Sequence, residues 1–428
     1  MPDGASDAEI EQSPRLRQAA PWGVAAGLLL LLCMWVVHQG GILPAAPGSP
    51  GGPGSAVAFL GVLGILAEAL PHLALWWGAA AGYGYILGQR GVAQFGVGMA
   101  FLLILGFVLA WVVGLSGATA AGMFGIGLLA LLIQAVRYLL MARSDSASLP
   151  KFQDISGGGS GGWAWLLGVP GLAVLFVAAC CPPGTMWAVE AFGYDATSYH
   201  LQIPKEWAAA GRMVELEHNV YAYLPGLMES AFAWVFVVRG GSPVGGVYVG
   251  QLFHASFAVL AATAVAKWLR GWLNPWAATA GGSVVLLVPW TVVTGSSAYN
   301  EQVVVAFAAV GLSIVAGRDK PCGRGAAVLG WLAGAATLAK LTAAFTVALP
   351  LGGVLLWRLL LDRPTKKAVA PLVLCVLVGS AALLPYLARN AVWTGNPVFP
   401  FALSTLGAGH WDAARAERWG AAHMPEAP

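Results

Sequence analysis

Apolar runs of about 17–25 residues recur along nearly the whole chain, the length a helix needs to cross a hydrocarbon layer ~30 Å thick. A strand edge exposed to lipid would leave its N–H and C=O groups unpaired, so helices are the expected element throughout. Composition points the same way. The chain is 58% hydrophobic and 10% charged, with 19 Trp, whereas soluble domains run near ~25% charged. The predicted spans are 22–38, 56–88, 94–115, 119–141, 163–181, 244–266, 276–294, 300–317, a close pair within 325–357, and 368–388. Residues 56–88 read as one broken crossing, interrupted by Glu68, Pro71 and His72. The expected fold is therefore an all-α polytopic membrane protein of about 11 transmembrane helices, with the lipid bilayer as its first partner.

Other classes fall away quickly. A net charge of +3 without a basic cluster interleaved with aromatics gives no reason to expect nucleic acid. Cys33, Cys180, Cys181, Cys322 and Cys375 lie in or beside apolar runs, without a CxxC pair, and read as small residues packed between helices. The first twenty residues carry both charge signs and no small-residue cleavage site follows neatly, so 22–38 reads as a retained span rather than a removed signal peptide. The Gly/Pro/Ser-rich segments 39–54 and 152–162 read as linkers.

Orientation follows from Lys and Arg beside the span ends. They gather at Arg137–Arg143–Lys151, Lys267–Arg270, Arg318–Lys320–Arg324 and Arg358–Arg363–Lys366–Lys367. With those loops cytoplasmic, the chain divides into a cytoplasmic tail (1–21), a first helical set (22–181), an outer loop (182–243), a second helical set (244–401) and an outer tail (402–428). Parity then forbids a full crossing by 224–238, LPGLMESAFAWVFVV, which is expected along the interface or as a re-entrant dip, its Trp and Phe at headgroup level.

The outer loop concentrates the polar residues. In GYDATSYHLQIPKEW, residues 193–207, Asp195 stands just beyond a span end, where partial desolvation raises a carboxylate's pKa and suits it to general-base work. It could equally N-cap a helix starting at Thr197, and the two roles can coexist. His200 and Lys205 are expected on that same short helix, Lys205 as a phosphate contact or a solvated residue. His200 and His218 could join Asp195 around a metal, and Asp195 with Glu301 could share a base role or a divalent cation, Mg or Mn; no recognised ligand spacing supports this. Glu301, in SSAYNEQVVVAFAAVG, heads a span at its outer end, a favourable place for a negative side chain. Lys340 interrupts an apolar pair of spans, and Arg389 with Asn390 ends the last one. Ionisable groups within spans are functional candidates, with snorkelling as the alternative.

The stretch YDATSYHLQIPKEW…GR…HNVYAYLPGLMES resembles the outer-loop signature of GT-C superfamily membrane glycosyltransferases. Within them it is most similar to the lipid-carrier-dependent group that includes protein mannosyltransferases and lipopolysaccharide sugar transferases. VPWTVVTGSSAYNEQ, LAKLTAAF and ARNAVWTGNPVFPF resemble that group's later landmarks, in the same order, over roughly 185–401. The resemblance implies transfer of a sugar from a polyprenyl-phosphate donor to a glycan, lipid or protein acceptor at the outer face of a bacterial-type cytoplasmic membrane. It implies Asp195 as the catalytic carboxylate of the outer loop, a general base, and Glu301 as a second catalytic carboxylate. Substrate would then meet Tyr199, His200, Lys205, Lys340, Arg389 and Asn390, with Lys340 and Arg389 facing the donor phosphate. The sequence departs from the family in carrying Asp195-Ala196 where many relatives have two adjacent acids, and in placing several spans before the loop. From another class, a transporter or lipid flippase would line its path with the same charges. Such proteins usually show paired repeats, and none is visible here.

Overall fold

The computed structural model describes residues 14–40, 55–144, 159–316, 323–362 and 365–423, so most of the N-terminal tail and of both linkers lies outside them. Among these residues all regular structure is helical. The first set comprises α1 (Pro14–Gly40), α2 (Ser55–Ile86), α3 (Val92–Val112), α4 (Gly117–Ser144) and α5 (Val169–Ala179), the last preceded by a 3₁₀ segment, Gly159–Gly168. The segment between the two sets, expected at the outer face and named the outer segment for that expectation, carries α6 (Gln202–Ala210) and α7 (Leu227–Arg239). The second set is α8 (Pro243–Leu269), α9 (Pro275–Val285), α10 (Pro289–Gly295), α11 (Glu301–Val315), α12 (Gly323–Ala339), α13 (Leu349–Asp362) and α14 (Thr365–Thr394). Two short helices, α15 (Leu403–Leu406) and α16 (Ala413–His423), follow.

Eight helices among the described residues are long and apolar enough to cross a membrane; α9 and α10, bent by 52° at a short break, would make nine if they form one span. The expected single span 276–294 is this bent pair, interrupted just before Pro289, whose ring cannot continue the α9 ladder. Residues 56–88, expected as a broken crossing, instead form the single helix α2 with Pro71 inside. Glu68 does not force a break because Arg239 Nε donates to its Oε1 at 2.6 Å, and His72 Nδ1 donates to its carbonyl at 3.0 Å.

At 13 residues α7 is too short to cross, as parity requires. Its aromatics do not lie at headgroup level, however. Phe232 and Trp234 are fully buried, because α7 runs under α6 and against α3. The Trp234 indole, removed from water, donates to the Gly106 carbonyl at 2.8 Å.

Helices in lipid gain little from hiding apolar surface against one another, so close packing of small residues carries their association. The contact between α12 and α14 shows this directly. A Cβ at Gly330 would stand 2.1 Å from the Cys375 carbonyl oxygen, so the two backbones meet only because no side chain intervenes. Cys33, Cys180 and Cys181 are buried and Cys375 half-buried, free thiols packed among helices as expected; Cys322 lies outside the described residues.

The two ends of the bundle differ in chemistry. At the turn joining α2 to α3, Arg137 donates to the Tyr85 hydroxyl (3.0 Å) and Arg324 to the Leu87 carbonyl (2.7 Å). Lys267 also reaches this turn, beside Gly91, and Arg358 bonds the Val315 carbonyl at the same end of α11. Helix direction then carries the C-terminus of α3, the N-termini of α8 and α11 and the C-termini of α12 and α14 to the opposite end. Gly330→Val is expected to wedge α12 from α14 and cost roughly 1–3 kcal/mol, a typical overpacking penalty, whereas Gly325→Ala, facing open space, leaves thermal unfolding in detergent unchanged. Equal midpoints for the two variants would contradict this packing.

Candidate active site

The outer segment is tied down before it reaches the polar stretch. Gln251 Nε2, buried on α8, donates to the Ala179 and Cys181 carbonyls, each at 2.9 Å, and the Trp187 indole donates to Ser296 Oγ at 2.8 Å. The chain then folds back on itself at Gly184 and Gly193, both with φ near +75°; a Cβ at Gly184 would overlap the Phe192 carbonyl. This turn delivers Tyr194-Asp195 to the polar end.

Asp195 has helical φ and ψ and makes no capping bond, so the expected N-cap role is not seen. Local turn bonding falls to Thr197, whose Oγ1 donates to the Gly193 carbonyl at 3.1 Å. Residues Ala196–His200 form one wide π-type turn, a rare geometry often found at functional sites. The carboxylate of Asp195 is exposed, and its charge acts on the nearby Tyr199 hydroxyl. Burial first, and then Asp195, push the Tyr199 hydroxyl well above its usual range; Glu229 and Glu301 act in the same direction. Tyr199 thus senses both acids singled out from the sequence. Its ring stacks on Tyr221 (4.2 Å, 18°) and touches His200 (4.2 Å). Tyr221 is pushed up likewise, by burial first and Asp195 second.

His200 and Lys205 do not share a helix. The turn closes at Leu201 before α6 begins, and the two side chains part. His200 goes inward, where Nδ1 meets Glu229 Oε1 at 2.5 Å with both side chains nearly sealed from solvent. Lys205 is exposed on α6 and takes no part in these contacts. His218 pairs with Glu206 at 3.2 Å rather than with His200. Among the described residues no three His, Cys, Asp or Glu side chains gather to hold a metal ion.

A second group forms where α8, α11 and α12 meet. His254, fully buried on α8, donates from Nδ1 to the Ser297 carbonyl (2.8 Å) and accepts at Nε2 from the Gln302 N–H (3.1 Å). A carbonyl can only accept and an amide N–H only donate, so these two bonds select the neutral Nδ1–H tautomer. Asn300 Nδ2 donates to the Ala339 carbonyl at 2.9 Å, fastening the start of α11 to the end of α12. That places Glu301 Oε1 2.5 Å from Lys340 Nζ, in a pair whose side chains keep 30% and 43% of their exposure. The pair is accessible, and Glu301 lies near enough for its charge to act on the Tyr199 hydroxyl.

Arg389 and Asn390 go elsewhere. Both are fully buried at the end of α14. The guanidinium donates to Asn390 Oδ1 and to the Leu224 carbonyl (2.9 Å) and lies over the rings of Phe107, Tyr386 and Trp393. Asn390 Nδ2 donates to the Tyr223 and Phe399 carbonyls at 2.7 and 3.0 Å. These bonds hold the outer segment against α14. Two residues outside the sequence-based set belong to the site. Glu229 was legible only as an interruption of an apolar run, and its Oε2 is buried without a partner. His254 sits unremarked in an apolar helix, and no periodicity or spacing marks it.

Compared with family models, curated proteins and solved structures, the chain matches none.

Because the Tyr199 phenol stays protonated well above ~10, the usual tyrosine value, Tyr199→Phe is expected to leave the tyrosinate absorbance at about pH 11 unchanged. Loss of one tyrosine's signal in the variant would place Tyr199 in ordinary solvent and contradict the geometry.

Proposed function

We propose that this chain is an integral membrane glycosyltransferase. It would transfer a sugar from a polyprenyl-phosphate donor to a glycan, lipid or protein acceptor on the extracytoplasmic face of a cytoplasmic-type membrane. The observation that carries the reading is that an exposed acid on a rare turn (Asp195) and an accessible acid–cation pair (Glu301–Lys340) share one end of an apolar bundle, near enough for both acids to act on the Tyr199 hydroxyl. Membrane transfer from a lipid donor calls for these parts, a base for the acceptor and a cation for the departing phosphate.

In this reading Asp195 takes the proton of the acceptor hydroxyl as its oxygen bonds the anomeric carbon. The bond from that carbon to the donor's phosphate oxygen breaks, and the electron pair leaves with the lipid phosphate. Lys340 neutralises that phosphate, with Glu301 holding the ammonium in place. Arg389, assigned to the phosphate by the family resemblance, instead braces the outer segment. With the bent pair and the shorter helices α11 and α12 taken as crossings the count would be about eleven, and the Lys and Arg at one end of the bundle support cytoplasmic basic turns with Asp195 outside.

The bent α9–α10 pair is the one feature that favours a transporter or flippase, whose sites often sit at broken helices. The exposed Asp195 and the accessible Glu301–Lys340 pair nevertheless favour the transferase. Transfer of radiolabelled sugar from a polyprenyl-phosphate hexose, measured with purified protein, separates the readings. Asp195→Asn is expected to lower the rate by ~10²-fold or more, the range of a general base, while leaving unfolding unchanged. Equal transfer by variant and parent would remove Asp195 from the chemistry; no transfer by the parent from any donor would favour the transporter.

A further inference from the structure

The opposite, basic end holds a second site, and it does not depend on the reading above. A cavity of about 320 Å³ opens between α3, α12 and α14, walled by Val97, Phe101, Val328, Trp331 and Val378. That volume lies at the small end of ligand cavities (~300–1,000 Å³), enough for part of one chain-like apolar ligand.

Its wall is almost wholly apolar, and polar groups are confined to the mouth, where Arg324 and Gln89 sit. Arg324 lies across Gly88, so closely that a Cβ there would stand 2.1 Å from its terminal nitrogen. One N–H of that nitrogen goes to the Leu87 carbonyl at 2.7 Å, and the remaining donors of the fork are the kind that hold a phosphate. Among the described residues no acidic side chain lines the cavity. Deeper in, the Trp331 indole N–H is buried without an acceptor, and its ring rests against Phe101. Beside Val378, the neighbouring Val376 and Leu377 on α14 are about 60% exposed, as a lipid-facing surface would be. The mouth is thus cationic, the sleeve apolar, and the flank open to the bilayer.

We propose that this cleft holds one anionic phospholipid, its headgroup phosphate on Arg324 and part of one acyl chain against Phe101, Trp331 and Val378. Charge decides the class of occupant: Arg324 stands at the same turn that Arg137 and Lys267 reach, and a phosphodiester anion matches it where a zwitterion is partly self-neutralised. The lipid would fill the gap between α3 and α12–α14 and sit at the far end from Asp195.

The full chain, reconstituted in vesicles of phosphatidylcholine with a minor share of phosphatidylglycerol and then released in mild detergent, tests this by native mass spectrometry. The parent is expected to retain one phosphatidylglycerol in preference to phosphatidylcholine. Arg324→Gln should lower that preference about fivefold, the worth of one cation beside an anionic headgroup. Ala327→Phe, which fills the cleft from α12, should abolish retention of either lipid, and excess inorganic phosphate should displace nothing. Equal retention of the two lipids by the parent, an unchanged preference in Arg324→Gln, or displacement by free phosphate would each overturn the proposal. Should Ala327→Phe fail to fold, the Arg324→Gln comparison decides alone.

Discussion

A guanidinium with no exposed surface is the fixed point of the polar end. Removing a cation from water costs several kcal/mol unless polar contacts replace the lost hydration. Arg389 recovers that cost from Asn390, from the Leu224 carbonyl and from three aromatic faces, with no carboxylate among the described residues paired to it. Those contacts are made to two different parts of the chain at once. α14 supplies the charge and the outer segment supplies the carbonyl, so satisfying Arg389 obliges the segment before α7 to lie on the bundle. Asn390 repeats the device through Tyr223 and Phe399. Once 223–226 is fixed, Glu229 at the start of α7 is fixed with it, and so is the buried His200 that meets it.

From there the arrangement of the site follows by short steps. His200 draws the end of the Ala196–His200 turn inward, and the width of that turn leaves Asp195 at its other end facing outward beside Tyr199. His254 performs a comparable task on the far side, where its two ring nitrogens bind the backbone on either side of Glu301. Buried histidines thus position both acids, and the acids themselves remain open. A network whose inner members are paired and whose outer members are accessible is what a site needs if rigidity and access are both required.

Much of the helical layout was legible because apolar run length is a direct consequence of bilayer thickness, and neither linker chemistry nor partner identity alters it. Asp195, Glu301 and Lys340 were legible for a related reason: an ionisable residue in so apolar a chain stands out against its background. What failed were inferences about which neighbour satisfies a polar group. Glu68 suggested a broken α2 only because its partner, Arg239, lies far along the chain. Trp234 and Phe232 looked interfacial because nothing local reveals that α6 and α3 cover them. Arg389 read as a ligand contact for the same reason, its carbonyl partner being 165 residues away. His254 carried no signal at all. Composition exposes charge; only tertiary contact says whether that charge is spent within the protein.

The central claim is that the Asp195 end and the basic end of this bundle face opposite sides of a membrane. It is tested most directly by labelling single cysteines with a membrane-impermeant maleimide in intact cells, after the five native cysteines are replaced. Tyr194→Cys, at an exposed residue beside Asp195, is expected to react without permeabilisation, and Arg90→Cys, on the exposed turn between α2 and α3, only after it. Reaction of both cysteines from the same side would contradict the account.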